Sequence, residues 1–509
     1  MYLTQFLHRA IQQDAQRVLT VFGDRTRTVA ECVDRVARFA HALRSLGVRP
    51  GDRVGIMALN SDRYHEFLLA VPWAGAVTNT VNIRWSASEV AYSLVDCRTD
   101  VLLVDDALAG LLPALRKEVP DLKTVIFCGD GPQPDDTLNY EELIAAHEPV
   151  EDARRHDDDL YGIFYTGGTT GRPKGVMLSH RNMVTSAMGT LATLPVVSKG
   201  GRLLHAAPMF HLADIAAWAM GLLAASTHVI VPSFTPAGVA EAIARHRVTD
   251  ALLVPTMIHL LVNSPEAADA DLSSLHGVLY GASPISEETL RQARERLPNA
   301  AFTQAYGMTE LSPVATLLSP TDHDDPVRSR SAGRAVAHAE VRIVNPSGAE
   351  VPLGTVGEIA VSGDHVMLGY WNKPEETAAA LRDGWMHTGD GGYMDENGYV
   401  FVADRIKDMI ITGGENVYSI EVENVLTNHP AVAQCAVIGV PDKDWGERVH
   451  AVVVLAPGAS ATAEELRDFC RPHIANYKIP RSVSFTDALP ISAAGKILKR
   501  ELRERYRAG

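Results

Sequence analysis

The chain has 509 residues, 46% of them hydrophobic and 21% charged, with 47 basic against 62 acidic side chains and a net charge of −15. That length is too great for one ordinary core, so two or more domains are expected. The acidic balance argues against nucleic acid or an anionic membrane surface as the main partner, because both need a basic footprint.

Five cysteines (Cys32, Cys97, Cys128, Cys435, Cys470) stand apart with no C-x-x-C pair, which suits a reducing compartment and gives no zinc site. The opening Met1-Tyr2-Leu3-Thr4-Gln5-Phe6 lacks a charged region followed by an apolar run, so no signal peptide is expected. The longest apolar run, Ile215 to Ala225, is too short to span a bilayer and reads as a buried core helix. A cytoplasmic protein without integral membrane contact is therefore expected. The sequence leaves the oligomeric state open, a homodimer included.

Thr28 to Leu46 carries apolar residues at helical spacing and predicts an amphipathic helix. After a Gly51-Asp52 turn, Val54 to Leu59 reads as a buried strand, Phe67 to Trp73 as a core helix, and Val101 to Val104 and Thr124 to Phe127 as further strands. This alternation predicts layered α/β structure with parallel strands. Gly129 to Thr137 and Glu151 to Asp159 read as surface loops. The polar stretch Ser319 to Arg330 is expected to separate this part from a smaller β-rich part that holds Glu340 to Val344 and Gly357 to Val361.

The best domain boundary falls near Asp404, after the β segment Gly398-Tyr399-Val400-Phe401-Val402. Beyond it, Val432 to Val440 and Val449 to Leu455 read as strands, and the capping box Thr462-Ala463-Glu464-Glu465 opens a helix to about Ile474. The expected fold is α/β. A large N-terminal domain of layered α/β subdomains plus a β-rich subdomain (1–403) leads through a hinge (404–408) to a small mobile α+β C-terminal lid (409–509).

The most informative stretch is Tyr165-Thr166-Gly167-Gly168-Thr169-Thr170-Gly171-Arg172-Pro173-Lys174-Gly175, directly after a strand-like run from Leu160. Glycines let backbone N–H groups turn toward a ligand. With threonine hydroxyls and a lysine they form a cradle for phosphate oxygens. Lys174 follows Pro173 and precedes Gly175, so this is not the G-x-x-x-x-G-K-[ST] loop, and a P-loop kinase is disfavoured.

Further segments fall into register with this loop: Pro208-Met209-Phe210-His211, Gly281-Ala282-Ser283-Pro284, Tyr306-Gly307-Met308-Thr309-Glu310, Thr388-Gly389-Asp390, Asp404-Arg405-Ile406-Lys407-Asp408, Gly413-Gly414-Glu415-Asn416-Val417 and Gly495-Lys496-Ile497. On these motifs, over nearly its whole length to about Arg503, the chain resembles the acyl-adenylate-forming enzymes: acyl-CoA synthetases, adenylation domains of peptide synthetases, and firefly luciferase. It departs from them at Gly167, where that family usually has serine, which removes one hydroxyl from the loop.

The resemblance implies ATP, Mg²⁺ and coenzyme A as ligands of the following residues. Thr166, Gly167, Gly168, Thr169, Thr170, Gly171 and Lys174 would hold phosphates, with Glu310 as the Mg²⁺ ligand and Thr309 donating to a phosphate. The bland alternative is that Thr309-Glu310 merely caps a helix. Gly281, Ala282 and Ser283 would line the adenine, and Tyr306, after which Gly307 turns the chain, would stack on it or pack in the core. Asp390, in a turn after Gly389, would accept from both ribose hydroxyls, assisted by Arg405.

Lys496, in a small-residue loop, would bridge the attacking carboxylate and the α-phosphate. Its neighbours Lys499, Arg500, Arg503 and Arg505 read as a solvated basic face. His211 would shape or gate the passage between acyl site and coenzyme A channel. Lys407 is the hinge position by resemblance. Gly414 and Trp445 would belong to the pantetheine passage, with a lid-core role for Trp445 equally open.

The implied function is a carboxylate–CoA ligase: acid plus MgATP gives acyl-AMP and pyrophosphate, and coenzyme A then takes the acyl group and releases AMP. The segment after His211 is apolar apart from Asp214 and holds no arginine to pair with a second carboxylate, so a dicarboxylate such as malonate is disfavoured. A medium- or long-chain fatty acid is the first expectation and an aromatic acid the second. Rivals are an adenylating enzyme that loads a carrier-protein thiol and, from another class, a nucleotide-binding regulator without catalysis.

Overall fold

The structure, a computed structural model, describes residues 1–166, 172–283, 285–405, 408–412, 415–443, 445–491 and 497–506, leaving aside the side chains of Arg405 and Asn416. Two large sheets dominate. One runs, edge to edge, Gly369–Tyr370, Lys174–Ser179, Leu160–Thr166, Val77–Thr80, Arg53–Met57, Thr99–Val104, Thr124–Phe127 and Leu138–Asn139. The other runs Arg334–Ala335, Val314–Leu318, Ala301–Gly307, Gly277–Gly281, Asp250–Leu252, Arg202–His205, Thr227–Ile230, Val18–Phe22 and Arg25–Thr28. Their central strands pair in parallel, as crossover helices require.

Local chemistry explains the helices. Val29–Ser45 starts at a reciprocal capping box in which Thr28 and Glu31 satisfy each other's N–H groups, and it buries Val29, Cys32, Val36, Phe39, Ala40 and Leu43 on one side. It packs beside Asp62–Ala74, which is buried on every side. The charged groups this brings inside are all paired: Asp62 with Arg25 (2.9 Å), Glu66 with Arg35 (2.6 Å) and Arg63 with Glu141 (2.9 Å). Second partners, Arg27 at 3.3 Å from Glu66 and Asp130 at 3.0 Å from Arg63, join these pairs into a network.

Ser319 to Arg330 does not separate two domains. It connects Val314–Leu318 to Arg334–Ala335, neighbouring antiparallel strands of one sheet, through two short 3₁₀ turns. The β-rich part begins after it, as the sheet Glu340–Val344, Gly357–Ser362, Trp385–Met394 and Leu381–Arg382, with Val400–Arg405 on Trp385–Met394. Beyond Arg405 a separate sheet forms from Glu415–Val417, Ile410–Thr412, Gly446–Leu455 and Val432–Asp442, with Ser482–Phe485 on Gly446–Leu455. It has apolar clusters of its own. The helix opened by Thr462 keeps its capping box but ends at Cys470. All five cysteines are buried free thiols.

Candidate active site

Open α/β sheets bind ligands beyond the carboxyl ends of their parallel strands. The N-terminal motifs all lie there. Thr166 ends Leu160–Thr166, Gly281 ends Gly277–Gly281, Gly307 ends Ala301–Gly307, and Pro208 to His211 follow Arg202–His205. Hydrogen bonds join these ends across the two sheets. The Thr80 hydroxyl donates to the Phe210 carbonyl (3.0 Å), while the Asn60 side chain donates to the Ala207 carbonyl (2.9 Å) and accepts from the Met209 N–H (2.7 Å).

On the phosphate side, Thr166 and Lys174 are register partners across the antiparallel pair. The Lys174 ammonium lies 4.1 Å from the centroid of the Tyr370 ring, and the Tyr370 hydroxyl donates to Glu310 Oε1 (2.8 Å). Burial, reinforced by the Glu310 charge, pushes that hydroxyl well above its ordinary value, so it stays protonated and donates. Glu310 is 5% exposed in the single 3₁₀ turn Thr309–Leu311. That turn opens at Met308 without a side-chain cap, so Thr309-Glu310 does not cap a helix.

One Glu310 oxygen is thus held and oriented by the Tyr370 hydroxyl. Among the described residues no group of three or more His, Cys, Asp or Glu side chains is placed to hold a metal by itself. A single oriented carboxylate fits Mg²⁺ that arrives with a nucleotide, since magnesium is typically held by one or two carboxylates plus phosphates.

On the ribose side, the Tyr306 hydroxyl donates to Asp390 Oδ2 (2.8 Å). Asp390 is 7% exposed and lies within the strand Trp385–Met394, opposite Arg405, rather than in a turn. The preceding Gly389 gives its N–H to Glu358 (3.0 Å), and the Asp390 N–H goes to the Thr388 hydroxyl (3.1 Å). Tyr306 therefore orients the carboxylate by its hydroxyl. Two glycines let backbones meet at this floor. A Cβ on Gly281 would sit 2.2 Å from the Ala305 carbonyl oxygen, and one on Gly307 would sit 1.7 Å from that of Pro313. Ala282 holds φ +66°, an unusual left-handed conformation for a residue with a Cβ, and Ser283 follows it.

On the acyl side, His211 precedes the helix Leu212–Leu223 with its ring 4.3 Å from that of Phe210. Asp214 is no free charge in that wall. Its Oδ2 lies 2.8 Å from His205 Nδ1, with both side chains fully buried, and His205 Nε2 lies 2.8 Å from His228 Nδ1. One turn on, Trp218 donates its indole N–H to His65 Nδ1 (2.9 Å). Burial lowers His65 to about 3 and His228 well below its ordinary value, so both are neutral. Asn60, Thr80, His65, His205 and Tyr370 were not singled out by sequence reasoning, and their partners lie too far along the chain to leave a local signature.

In the C-terminal part, Trp445 is 43% exposed with the Arg481 guanidinium 3.9 Å from its ring centroid, so it is not a core aromatic of that part. Lys499 and Arg503 are not solvated. Lys499 pairs with Glu423 (2.7 Å) and reaches the Ser419 hydroxyl, and Arg503 pairs with Asp408 (2.8 Å). Arg500 is exposed as expected. Gly167, Gly168, Thr169, Thr170, Gly171, Pro284, Lys407, Gly414 and Lys496, and the Arg405 side chain, lie outside the described residues.

This arrangement, with Thr166, Gly281 and Gly307 at the carboxyl ends of strands in the two large sheets beside an apolar wall, accords with an acyl-adenylate-forming enzyme. The chain belongs to the AMP-binding enzyme family, whose model matches residues 7–371, and the AMP-binding enzyme C-terminal domain matches residues 421–496. It falls on the CoA-ligase branch of the superfamily. Feruloyl-CoA synthase of an Amycolatopsis species is 41% identical over 485 residues, 95% of each chain. The fatty acid–[acyl-carrier-protein] ligase ScoC of Streptomyces coeruleorubidus is 36% identical over 489 residues, 95% of this chain and 92% of its own. Among solved structures, the anthranilate CoA ligase AuaEII in complex with anthranoyl-AMP superposes with a TM-score of 0.92 at 26% identity, covering 100% of this chain and 98% of that one. No helix among the described residues is long and apolar enough to cross a membrane.

Proposed function

We propose that the protein is an AMP-forming ligase that activates an aryl-substituted monocarboxylic acid and transfers it to coenzyme A. The observation that carries this substrate class is the acyl-side wall. Pro208 to Leu223 contains no lysine or arginine, and its one carboxylate is consumed by His205. Such a wall suits an apolar acyl group, aryl or alkyl, and gives a second carboxylate no partner. The likeness to feruloyl-CoA synthase supports the same class. A medium- or long-chain fatty acid is the second reading, favoured by the likeness to a fatty acid ligase. That relative's carrier-protein acceptor makes a protein thiol the alternative to coenzyme A.

In the first step a carboxylate oxygen of the acid attacks the α-phosphorus, the bond to the bridging oxygen breaks, and pyrophosphate leaves. Residues Thr166 to Gly171 with Lys174 hold the phosphates, and Glu310, oriented by Tyr370, would hold Mg²⁺, which when bound would neutralise phosphate charge. Thr309 donates to a phosphate oxygen, and Asp390, oriented by Tyr306, accepts from the ribose with Arg405 beside it. Gly281, Ala282 and Ser283 line the adenine. Lys496 places its ammonium between carboxylate and α-phosphate.

In the second step the lid turns at Lys407 and brings Gly414 and Trp445 toward the site. The coenzyme A thiol loses its proton, its sulfur attacks the acyl carbonyl past His211, and AMP leaves. The test is pyrophosphate release from MgATP with panels of aromatic and fatty acids, with and without coenzyme A. Turnover with aryl acids that accelerates with coenzyme A is expected. Turnover confined to fatty acids replaces the substrate class, and release that stalls after one turnover with or without coenzyme A replaces the acceptor.

A further inference from the structure

The helix Ala87–Asp96 belongs to none of the motifs above, yet its last turn touches both flanks of the phosphate loop. The helix is rigidly seated. Ser86 and Glu89 close a capping box at its start, and Val90, Ala91 and Leu94 are buried in a cluster with Leu102, Val104 and Leu115. Tyr92 and Asp96, one turn apart, share a face. Asp96 Oδ2 accepts from the Tyr165 hydroxyl (2.6 Å), on the strand that enters the loop. Tyr92 lies edge-on to Tyr165 (6.4 Å between centroids) and takes the guanidinium of Arg172, on the segment that leaves the loop, 5.1 Å from its ring centroid.

The same aspartate reaches the other wall of the site. Its backbone carbonyl accepts from the Trp371 indole N–H (2.9 Å), and the Trp371 N–H donates to the Gly175 carbonyl (2.8 Å). Trp371 is covalently next to Tyr370, whose hydroxyl orients Glu310. One helix end therefore holds the strand that enters the phosphate loop, the segment that leaves it, and the strand beside the candidate Mg²⁺ ligand.

We propose that Asp96, with Tyr92 beside it, is a positioning residue for the triphosphate: its side chain acts through Tyr165 and touches no substrate atom, while its backbone carbonyl seats Trp371. This rests on the adenylating activity proposed above. A hydroxyl bonded to a carboxylate is a strong, directional contact. Its loss frees the start of the loop without removing any group that binds ATP.

The test is calorimetric binding of MgATP to the full chain, alongside steady-state kinetics. Tyr165→Phe and Asp96→Ala are each expected to weaken MgATP about tenfold, in Kd and in KM, for loss of one charge-assisted hydrogen bond. The KM for the acid and the thermal midpoint without ligand are expected to stay near the parent's. The double variant is expected to be no worse than the poorer single one. Asp96→Asn is expected to recover most of the affinity, because an amide oxygen still accepts from Tyr165. Should Asp96→Ala fail to fold, Tyr165→Phe carries the test. MgATP affinity within twofold of the parent in Tyr165→Phe overturns the proposal. So does a parallel rise of both KM values with a lowered midpoint, which would mark a merely structural contact. If the parent binds MgATP but no acid elicits pyrophosphate, the proposed activity fails, while this proposal is still decided by nucleotide affinity.

Discussion

On the nucleotide side of the site, polar groups face the ligand space in oriented pairs: Tyr306 on Asp390, and Tyr370 on Glu310 beneath Lys174. On the acyl side they turn away from it. Asp214 and Trp218, the polar groups of the wall helix, are committed to His205 on the strand Arg202–His205 and to His65 on the helix Asp62–Ala74. The first construction suits a ligand whose charges are fixed, because preorganised donors and acceptors need no rearrangement when charge develops. The second leaves shape and volume to select the acid, and such pockets discriminate by only about 1–3 kcal/mol per methylene. On the assignments proposed above, reaction chemistry and substrate choice fall to separable residues.

The largest effect expected from that separation is at Lys496. Lys496→Ala should reduce acyl-AMP formation by about 10²–10³-fold, the scale for loss of a charge-stabilising donor, while thioester formation from preformed acyl-AMP stays nearly intact. Equal losses in the two half-reactions would remove its assigned role. Next comes Glu310→Gln, expected to cut adenylation by about 10²-fold and to raise the Mg²⁺ concentration needed for half-maximal rate. An unchanged Mg²⁺ dependence would show that Glu310 is not the ligand. On the acyl side, Ala213→Phe is expected to shift preference between short aryl and long acyl acids about tenfold, with MgATP affinity unaltered. Coupled changes in acid and nucleotide affinity would break the comparison.

What was legible in advance follows the same physics. Local signals were read well. The helical spacing over Thr28 to Leu46 corresponds to the helix Val29–Ser45, the run Thr124–Phe127 is a strand to the residue, and the box at Thr462 opens its helix. Of the residues in the contiguous motifs, Thr166, Gly281 and Gly307 stand at the carboxyl ends of strands. Contacts between distant segments were not legible. Lys499 and Arg503 looked like a solvated face because Glu423 and Asp408 lie far off in sequence. Asp390 was read as a turn residue because Gly389 signals a turn, although the strand runs through it. Ser319 to Arg330 looked like a linker because its composition is polar, whereas sheet pairing on either side keeps it inside one unit.

The smallest expected effect distinguishes the two sides by acid rather than by mutation. Burial lowers His65, which holds Trp218 behind the acyl wall, to about 3, and His365, whose carbonyl accepts from Ser312, also to about 3. Unfolded histidine titrates near 6.5. Between those values the unfolded chain binds protons that the folded chain does not, so stability is full above 6.5 and falls as pH drops toward 3. From pH 7 to pH 6 each such histidine costs about 0.7 kcal/mol. The urea midpoint should therefore fall measurably between pH 7 and pH 6, and the fall should shrink in His65→Gln, which has no proton to gain. MgATP affinity should hold across the same interval, apart from the nucleotide's own titration, because neither imidazole is among the residues proposed to hold the nucleotide. A midpoint independent of pH over this range would mean that these imidazoles reach solvent, and the contrast between a charged nucleotide side and a neutral acyl side would lose its buried foundation.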